Sequence, residues 1–212
     1  MGIGSPRLII EGVEQLHPVR YRVVPDRIEA GTFMVAAAIT ESELRLRNCR
    51  LDDMMAVVDR LRSIGVHIDA TEDGCVVSHR GPIRPTDITT QPYPGFPTDL
   101  QAQFMALLTL AEGNSVVIEK IFPDRFMHVA ELNRMAANLR KEGPAVIVAG
   151  VEKLIAAPVM ASDLRASAAL VLAGMAAEGT TTINRVYHID RGYERIEERL
   201  NPLGAKIKRE DV

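Results

Sequence analysis

The sequence has no long apolar run, no excess of either charge and almost no cysteine, and each shortage removes a class of function. No stretch of the 212 residues approaches the roughly 18 consecutive apolar residues of a membrane span, and no basic-then-apolar signal opens the chain. No membrane association is expected, and a cytosolic location follows by default. Lys and Arg number 25 against 28 Asp and Glu, a formal net charge of −3. That balance argues against a broad nucleic-acid-binding surface while leaving room for arginine clusters around a small anion. Cys49 and Cys75 are the only cysteines, and neither stands in a CxxC, CxxH or other metal-ligand spacing. Both read as reduced residues on strands, and neither a metal nor a cofactor is expected.

What is present is globular: 47% hydrophobic, 25% charged and 4% aromatic residues, with no low-complexity stretch. Within it one pattern echoes three times. Its first half reads GTFMVAAAITESELRLRN from Gly31, TDLQAQFMALLTLAEGNSVVIEK from Thr98 and SDLRASAALVLAGMAAEGTTTINR from Ser162. Its second half reads AVVDRLRSIGVHI from Ala56, HVAELNRMAANL from His128 and YERIEERLNPLGAKI from Tyr193. At a period of roughly 70 residues, three copies account for nearly the whole chain, so 8–212 reads as one repeat-built domain. The opening MGIGSPR, residues 1–7, lacks the pattern and is set apart as an irregular start. A first strand is expected at 8–11, and Asp26 is placed to cap a helix from about Arg27.

Helices expected at 33–39, 102–111 and 166–177 are apolar nearly all round, the signature of burial. Those at 53–63, 128–139 and 193–203 carry a charged face and belong outside. Strands are expected at 115–120, 145–150 and 180–185, short, β-branched and bounded by Gly or Pro turns. Three sheets around a triad of buried helices satisfy both observations.

The departures from the repeat point to a site. Pro92 to Pro97 holds three prolines and a glycine ahead of Thr98 and Asp99; one of the two caps the following helix, or Asp99 serves chemistry. Its counterpart Asp163 precedes Arg165, a cation near a helix N-terminus that opposes the helix dipole and implies either an anionic ligand or neutralisation by Asp163. Asp124-Arg125 and Asp190-Arg191 stand at matching points after a strand, marking one end of the domain as the candidate site or forming local salt bridges. His128 and His188 show no metal spacing and read as hydrogen-bonding residues.

Four ordered motifs, YPGFPTDLQAQFMALLTLAEG, FPDRFMHVAELNRM, ASDLRASAALVLAGMAAEGTT and YHIDRGYERIEERLNPLGAKI, together with DRIEAGTFMVAAA from Asp26, resemble the C-terminal catalytic half of the UDP-N-acetylglucosamine 1-carboxyvinyltransferase family. These are enolpyruvyl transferases of bacterial peptidoglycan synthesis. The resemblance runs from about Leu8 to Arg209, and the shikimate 3-phosphate transferases share the fold but not these strings. It implies a mixed α+β fold, an inside-out α-β prism of three βαβαββ repeats with buried helices. It also implies a partner domain, the family's N-terminal one, which supplies a lysine, a cysteine general acid and further arginines. A half without them is expected to be inactive alone, to bind nucleotide sugar weakly and to self-associate through an open sheet edge.

The implied reaction transfers enolpyruvyl from phosphoenolpyruvate to the 3'-hydroxyl of UDP-N-acetylglucosamine. Asp99 matches the family's proton acceptor, Asp163 a second cleft aspartate, Arg165 and Arg191 arginines near phosphoenolpyruvate, Arg125 a cleft arginine, and Ile121 a residue whose backbone meets the nucleotide sugar. Departures at Ala130, Met175 and Gly143-Pro144 touch none of them. Two other readings are a fragment of a shikimate-type transferase and a non-enzymatic binding or assembly module. Retention of Asp99, Asp163, Arg165 and Arg191 together argues against the module.

Overall fold

The structure, a computed structural model, describes residues 1, 5 and 7–210. The irregular start at 1–7 therefore lies largely outside the described residues. The elements in chain order are α1 (Arg27–Ile39), β1 (Glu43–Arg47), α2 (Met55–Ile64), β2 (His67–Thr71), β3 (Gly74–Ser78), β4 (Ile88–Thr89), α3 (Gln101–Leu108), β5 (Asn114–Ile118), α4 (Met127–Arg134), β6 (Asn138–Glu142), β7 (Ala145–Ala149), β8 (Pro158–Met160), α5 (Leu164–Ala176), β9 (Thr182–Asn184) and α6 (Ile196–Leu200). None of the described helices is long and apolar enough to cross a membrane.

The triad of buried helices is there. Every residue of α3 is buried, even Gln101 and Gln103, and α1, α3 and α5 pack against one another. Asp26 caps α1 as expected, accepting from the backbone N–H groups of Ile28 and Glu29 at 2.8 and 3.2 Å. The outer helices present one apolar stripe. α2 buries Val57, Val58, Leu61 and Ile64 and ends at Gly65, whose φ of 113° suits a residue without a Cβ.

Three sheets surround the helices, ordered β1-β3-β2, β4-β5-β7-β6 and β8-β9. The middle repeat runs β4, α3, β5, α4, β6, β7, the full βαβαββ unit, with β4 parallel to β5 and the rest antiparallel. Among the described residues the first repeat lacks the leading strand and the third the closing pair. Two backbones meet closely in these sheets. A Cβ on Gly74 would collide with the Leu46 carbonyl, and one on Gly150 with that of Ala111.

Several expected boundaries move. Residues 8–11 form no strand; Leu8, Ile9 and Ile10 are exposed and their backbone joins no sheet. The helix expected over 128–139 stops at Arg134, because Ala136 adopts φ 65° and Leu139 enters β6 opposite Val148. Asn133 enforces that turn, its amide bonding both the N–H and C=O of Leu139 at 2.9 Å, and Asn201 grips Ile207 the same way at 2.8 Å. The helix expected at 193–203 is cut to α6 and a 3-10 turn, Asn201–Leu203, containing Pro202. Cys75 lies in β3, but Cys49 falls past the end of β1; both are free.

The histidines depart from expectation too. His188 packs on the Tyr187 ring, 4.4 Å between centroids, and His128 is 1% exposed with Nε2 unpartnered among the described residues. Burial pushes the His128 imidazole down to about 4, with the Asp163 charge opposing and Arg125 assisting. The ring is therefore neutral in the folded chain.

A folded-state value below the unfolded one means that this contribution is complete above about pH 6.5 and is lost as pH falls towards 4. We predict that the wild-type chain loses about 3 kcal/mol more than His128→Leu between pH 7 and 4, measured by urea unfolding. Gly150→Ala is predicted to cost about 3 kcal/mol at any pH, since a backbone oxygen cannot step aside as a side-chain end would.

Candidate active site

The proline-rich loop, in which Tyr93-Pro94 is cis, delivers a 3-10 turn at Thr98–Leu100 directly into α3. Asp99 caps nothing there. Its carboxylate accepts from Arg125 Nη1 at 2.8 Å on one oxygen and faces Arg165 Nη2 at 3.4 Å on the other. Arg125 comes from the turn before α4 and Arg165 from the first turn of α5, so one carboxylate gathers two cations from separate repeats. All three side chains are partly shielded: Arg165 is 15% exposed, Arg125 23% and Asp99 38%.

Burial alone would raise the Asp99 carboxyl; the Arg125 hydrogen bond and the Arg165 charge outweigh it and hold the group below its ordinary range. Asp163 does cap, accepting from the backbone N–H groups of Arg165 and Ala166 at 2.8 and 2.9 Å. The internal ion pair of Arg165 is accordingly with Asp99, not Asp163.

Beneath this cluster lies a buried polar knot. Thr32 of α1 meets the Tyr193 hydroxyl at 2.6 Å, while Gln103 of α3 donates to Thr32 Oγ1 at 3.1 Å and to the Asp99 carbonyl at 3.0 Å. Burial pushes the Tyr193 phenol up, with Thr32 and Arg165 pulling against it. Tyr193 can therefore serve as a neutral hydrogen-bonding strut.

The two Asp-Arg dipeptides are not used alike. Asp124 faces Lys141 at 3.5 Å, and Asp190 accepts two bonds from Arg209 at 2.8 and 2.9 Å. Arg125 pairs with Asp99, whereas Arg191 is exposed and its guanidinium has no hydrogen bond or ion pair among the described residues. The backbone next to Arg191 runs close to the start of α5: a Cβ on Gly192 would come within 2.8 Å of the side chain of Leu164, the residue before Arg165. Ile121 sits in the turn between β5 and Arg125, its N–H held by Glu119 at 2.7 Å.

Sequence reasoning missed Glu119, Gln103 and Tyr193, and offered Thr98 only as a cap, whereas its hydroxyl bonds Glu119 and Arg125. The sequence carries no clear signal for Glu119, since Val116 and Ile118 suit the inner face as well as Val117 does; it is the structure that buries Ser115, Val117 and Glu119 in alternation. A concave cavity of about 470 Å³ lies elsewhere, lined by residues including Phe33, Leu46 and Arg199. Among the described residues no group of His, Cys, Asp and Glu is arranged to hold a metal ion.

The chain is similar to proteins named UDP-N-acetylglucosamine 1-carboxyvinyltransferase. It is 57% identical over 210 residues to that of Nitratidesulfovibrio vulgaris strain DP4 and 58% over 212 residues to that of Desulfovibrio desulfuricans, in each case over 99% of this chain and 50% of the relative. It thus spans about half the length of these curated relatives. Among solved structures, the enolpyruvyl transferase NikO from Streptomyces tendae superposes with a TM-score of 0.80 at 29% identity, covering 88% of this chain and 44% of that one. EPSP synthase from Acinetobacter baumannii, at 18% identity and a TM-score of 0.67 over 90% of this chain and 44% of that one, shares the fold. With residues 2–200 matching the profile of EPSP synthase (3-phosphoshikimate 1-carboxyvinyltransferase) as well, the chain belongs to that enolpyruvyl transferase family.

Proposed function

We propose that this chain is the catalytic half of a UDP-N-acetylglucosamine 1-carboxyvinyltransferase, working in the bacterial cytoplasm at the entry to peptidoglycan synthesis. The observation that carries the reading is the Asp99 carboxylate held between Arg125 and Arg165. The names of the relatives select the nucleotide sugar over shikimate 3-phosphate as acceptor.

In the ligand-free chain Asp99 is a poor base, because two guanidinium groups stabilise its charge. Phosphoenolpyruvate brings carboxylate and phosphate oxygens that compete for the same forks, and Arg165 with the unpaired Arg191 suits them. As the arginines turn to the substrate, Asp99 loses its counter-charges inside a half-buried site and its proton affinity rises. It then accepts the proton of the sugar 3'-hydroxyl while that oxygen bonds to C2 of phosphoenolpyruvate. C3 takes a proton from the general acid of the N-terminal half. The tetrahedral adduct expels phosphate and returns a C3 proton, giving the enolpyruvyl ether. Asp163, capping α5, fixes the direction of Arg165 throughout. The Ile121 backbone meets the nucleotide sugar.

Phosphate release from phosphoenolpyruvate and UDP-N-acetylglucosamine tests this reading. It is expected only when the chain is mixed with a separately expressed N-terminal half from a relative; turnover by the chain alone, or a mixture that docks yet stays silent, contradicts it. In the mixture, Asp99→Asn is expected to lower kcat on the order of 10³-fold with nucleotide-sugar affinity changed only a few-fold. Near-normal turnover removes Asp99 from the role of base.

A further inference from the structure

Glu119 is fully buried, yet it is a carboxylate with no cation in direct contact among the described residues. Desolvating such a group is costly unless donors replace its water. Four do. Oε1 accepts from Thr90 Oγ1 at 2.6 Å and from the backbone N–H groups of Ile121 and Phe122 at 2.7 and 3.0 Å, and Oε2 accepts from Thr98 Oγ1 at 2.9 Å. An acceptor-only group matches this set of four donors; an amide or a protonated acid on the Thr98 side would reverse that bond and leave the Thr98 proton, with Arg125 already donating to its oxygen, without this acceptor.

We propose that Glu119 is a positioning residue of the active site, setting the placement of Arg125 against Asp99 through Thr98 and holding the Ile121 turn. Thr98 has one hydroxyl proton. Donated to Glu119, it leaves the oxygen able only to accept, and Arg125 Nη1 donates to it at 3.2 Å while reaching Asp99 at 2.8 Å. The relay therefore runs from buried carboxylate to hydroxyl to guanidinium to reacting carboxylate. The same Glu119 oxygen that fixes Thr90 pins the Ile121 and Phe122 amides, and the Phe122 ring lies 5.6 Å from the Arg125 guanidinium.

Repeat symmetry separates this role from scaffolding. The residue after β5 and the residue after β1 make the same strand-end bond, Glu119 N–H to Pro144 C=O at 2.9 Å and Asn48 N–H to Asp73 C=O at 2.6 Å. Asn48 is exposed in the first repeat, so the fold does not require a buried carboxylate at this point. It occurs in the middle repeat, which carries Asp99.

The inference rests on the proposed function for its catalytic consequence, and two readouts keep them apart. In the 212-residue chain, ¹³C NMR titration of the Asp99 carboxyl should show an upward shift of about one unit in Glu119→Gln and Thr98→Val, since each loosens Arg125, while Thr98→Ser restores the wild-type value. In the mixture of halves, Glu119→Gln and Thr98→Val should each lower kcat about 10- to 100-fold, and the double variant no further than either alone. Leu132→Ala serves as a destabilised control whose folded fraction keeps wild-type kcat. An unmoved Asp99 titration overturns the relay, as do single variants that lower thermal stability while leaving kcat and KM unchanged. A wild-type mixture that docks yet stays silent removes the proposed function and leaves the titration to decide the relay.

Discussion

A helix buried on every side can meet water only at its ends, and that constraint organises this molecule. α1, α3 and α5 fill the interior with Ala, Leu and Met, so polar groups and charge are pushed to their termini. Thr32 midway along α1, Gln103 near the start of α3 and Arg165 in the first turn of α5 converge around Asp99 and Tyr193. The site is thus the place where α3 and α5 begin, braced from below by the middle of α1. Residues far apart in sequence are brought to one carboxylate by packing that has no chemical purpose of its own.

The charge pattern at that place alternates. Glu119, Arg125, Asp99 and Arg165 form a chain in which each charge faces its opposite, directly or through Thr98. Such a row is stable without substrate and is also poised to be disturbed by an anion, because the guanidinium groups have carboxylate or phosphate as equivalent partners. The low proton affinity of Asp99 in the free chain and its proposed role as base are two states of one network. Arg191, left without a partner among the described residues, is the cation that the resting network does not neutralise.

Much of this was legible in the sequence, since the helix compositions alone distinguished inner from outer elements and Asp26 stood where a cap belongs; that Asp163 caps α5 was not foreseen. Asp99 was legible as a departure from the repeat but not in its use: spacing cannot tell a cap from a carboxylate turned towards two arginines. The end of α4 was hidden because HVAELNRMAANL keeps helical spacing through the turn that Asn133 closes. Residues 8–11 have a strand's composition yet no sheet partner among the described residues, so propensity misled where pairing decides. Glu119 escaped because a glutamate following a β-branched run reads as a solvated strand end, and its burial in step with Ser115 and Val117 shows only in the structure.

The most direct test of this account follows the Asp99 carboxyl by ¹³C NMR in the reassembled halves as phosphoenolpyruvate is added without nucleotide sugar, so that binding proceeds and chemistry does not. If the anion draws the arginines away, the apparent pKa of Asp99 rises with saturation of the site. A titration that stays where the free chain puts it, with phosphoenolpyruvate bound, would contradict the claim that this carboxylate is released to act as base.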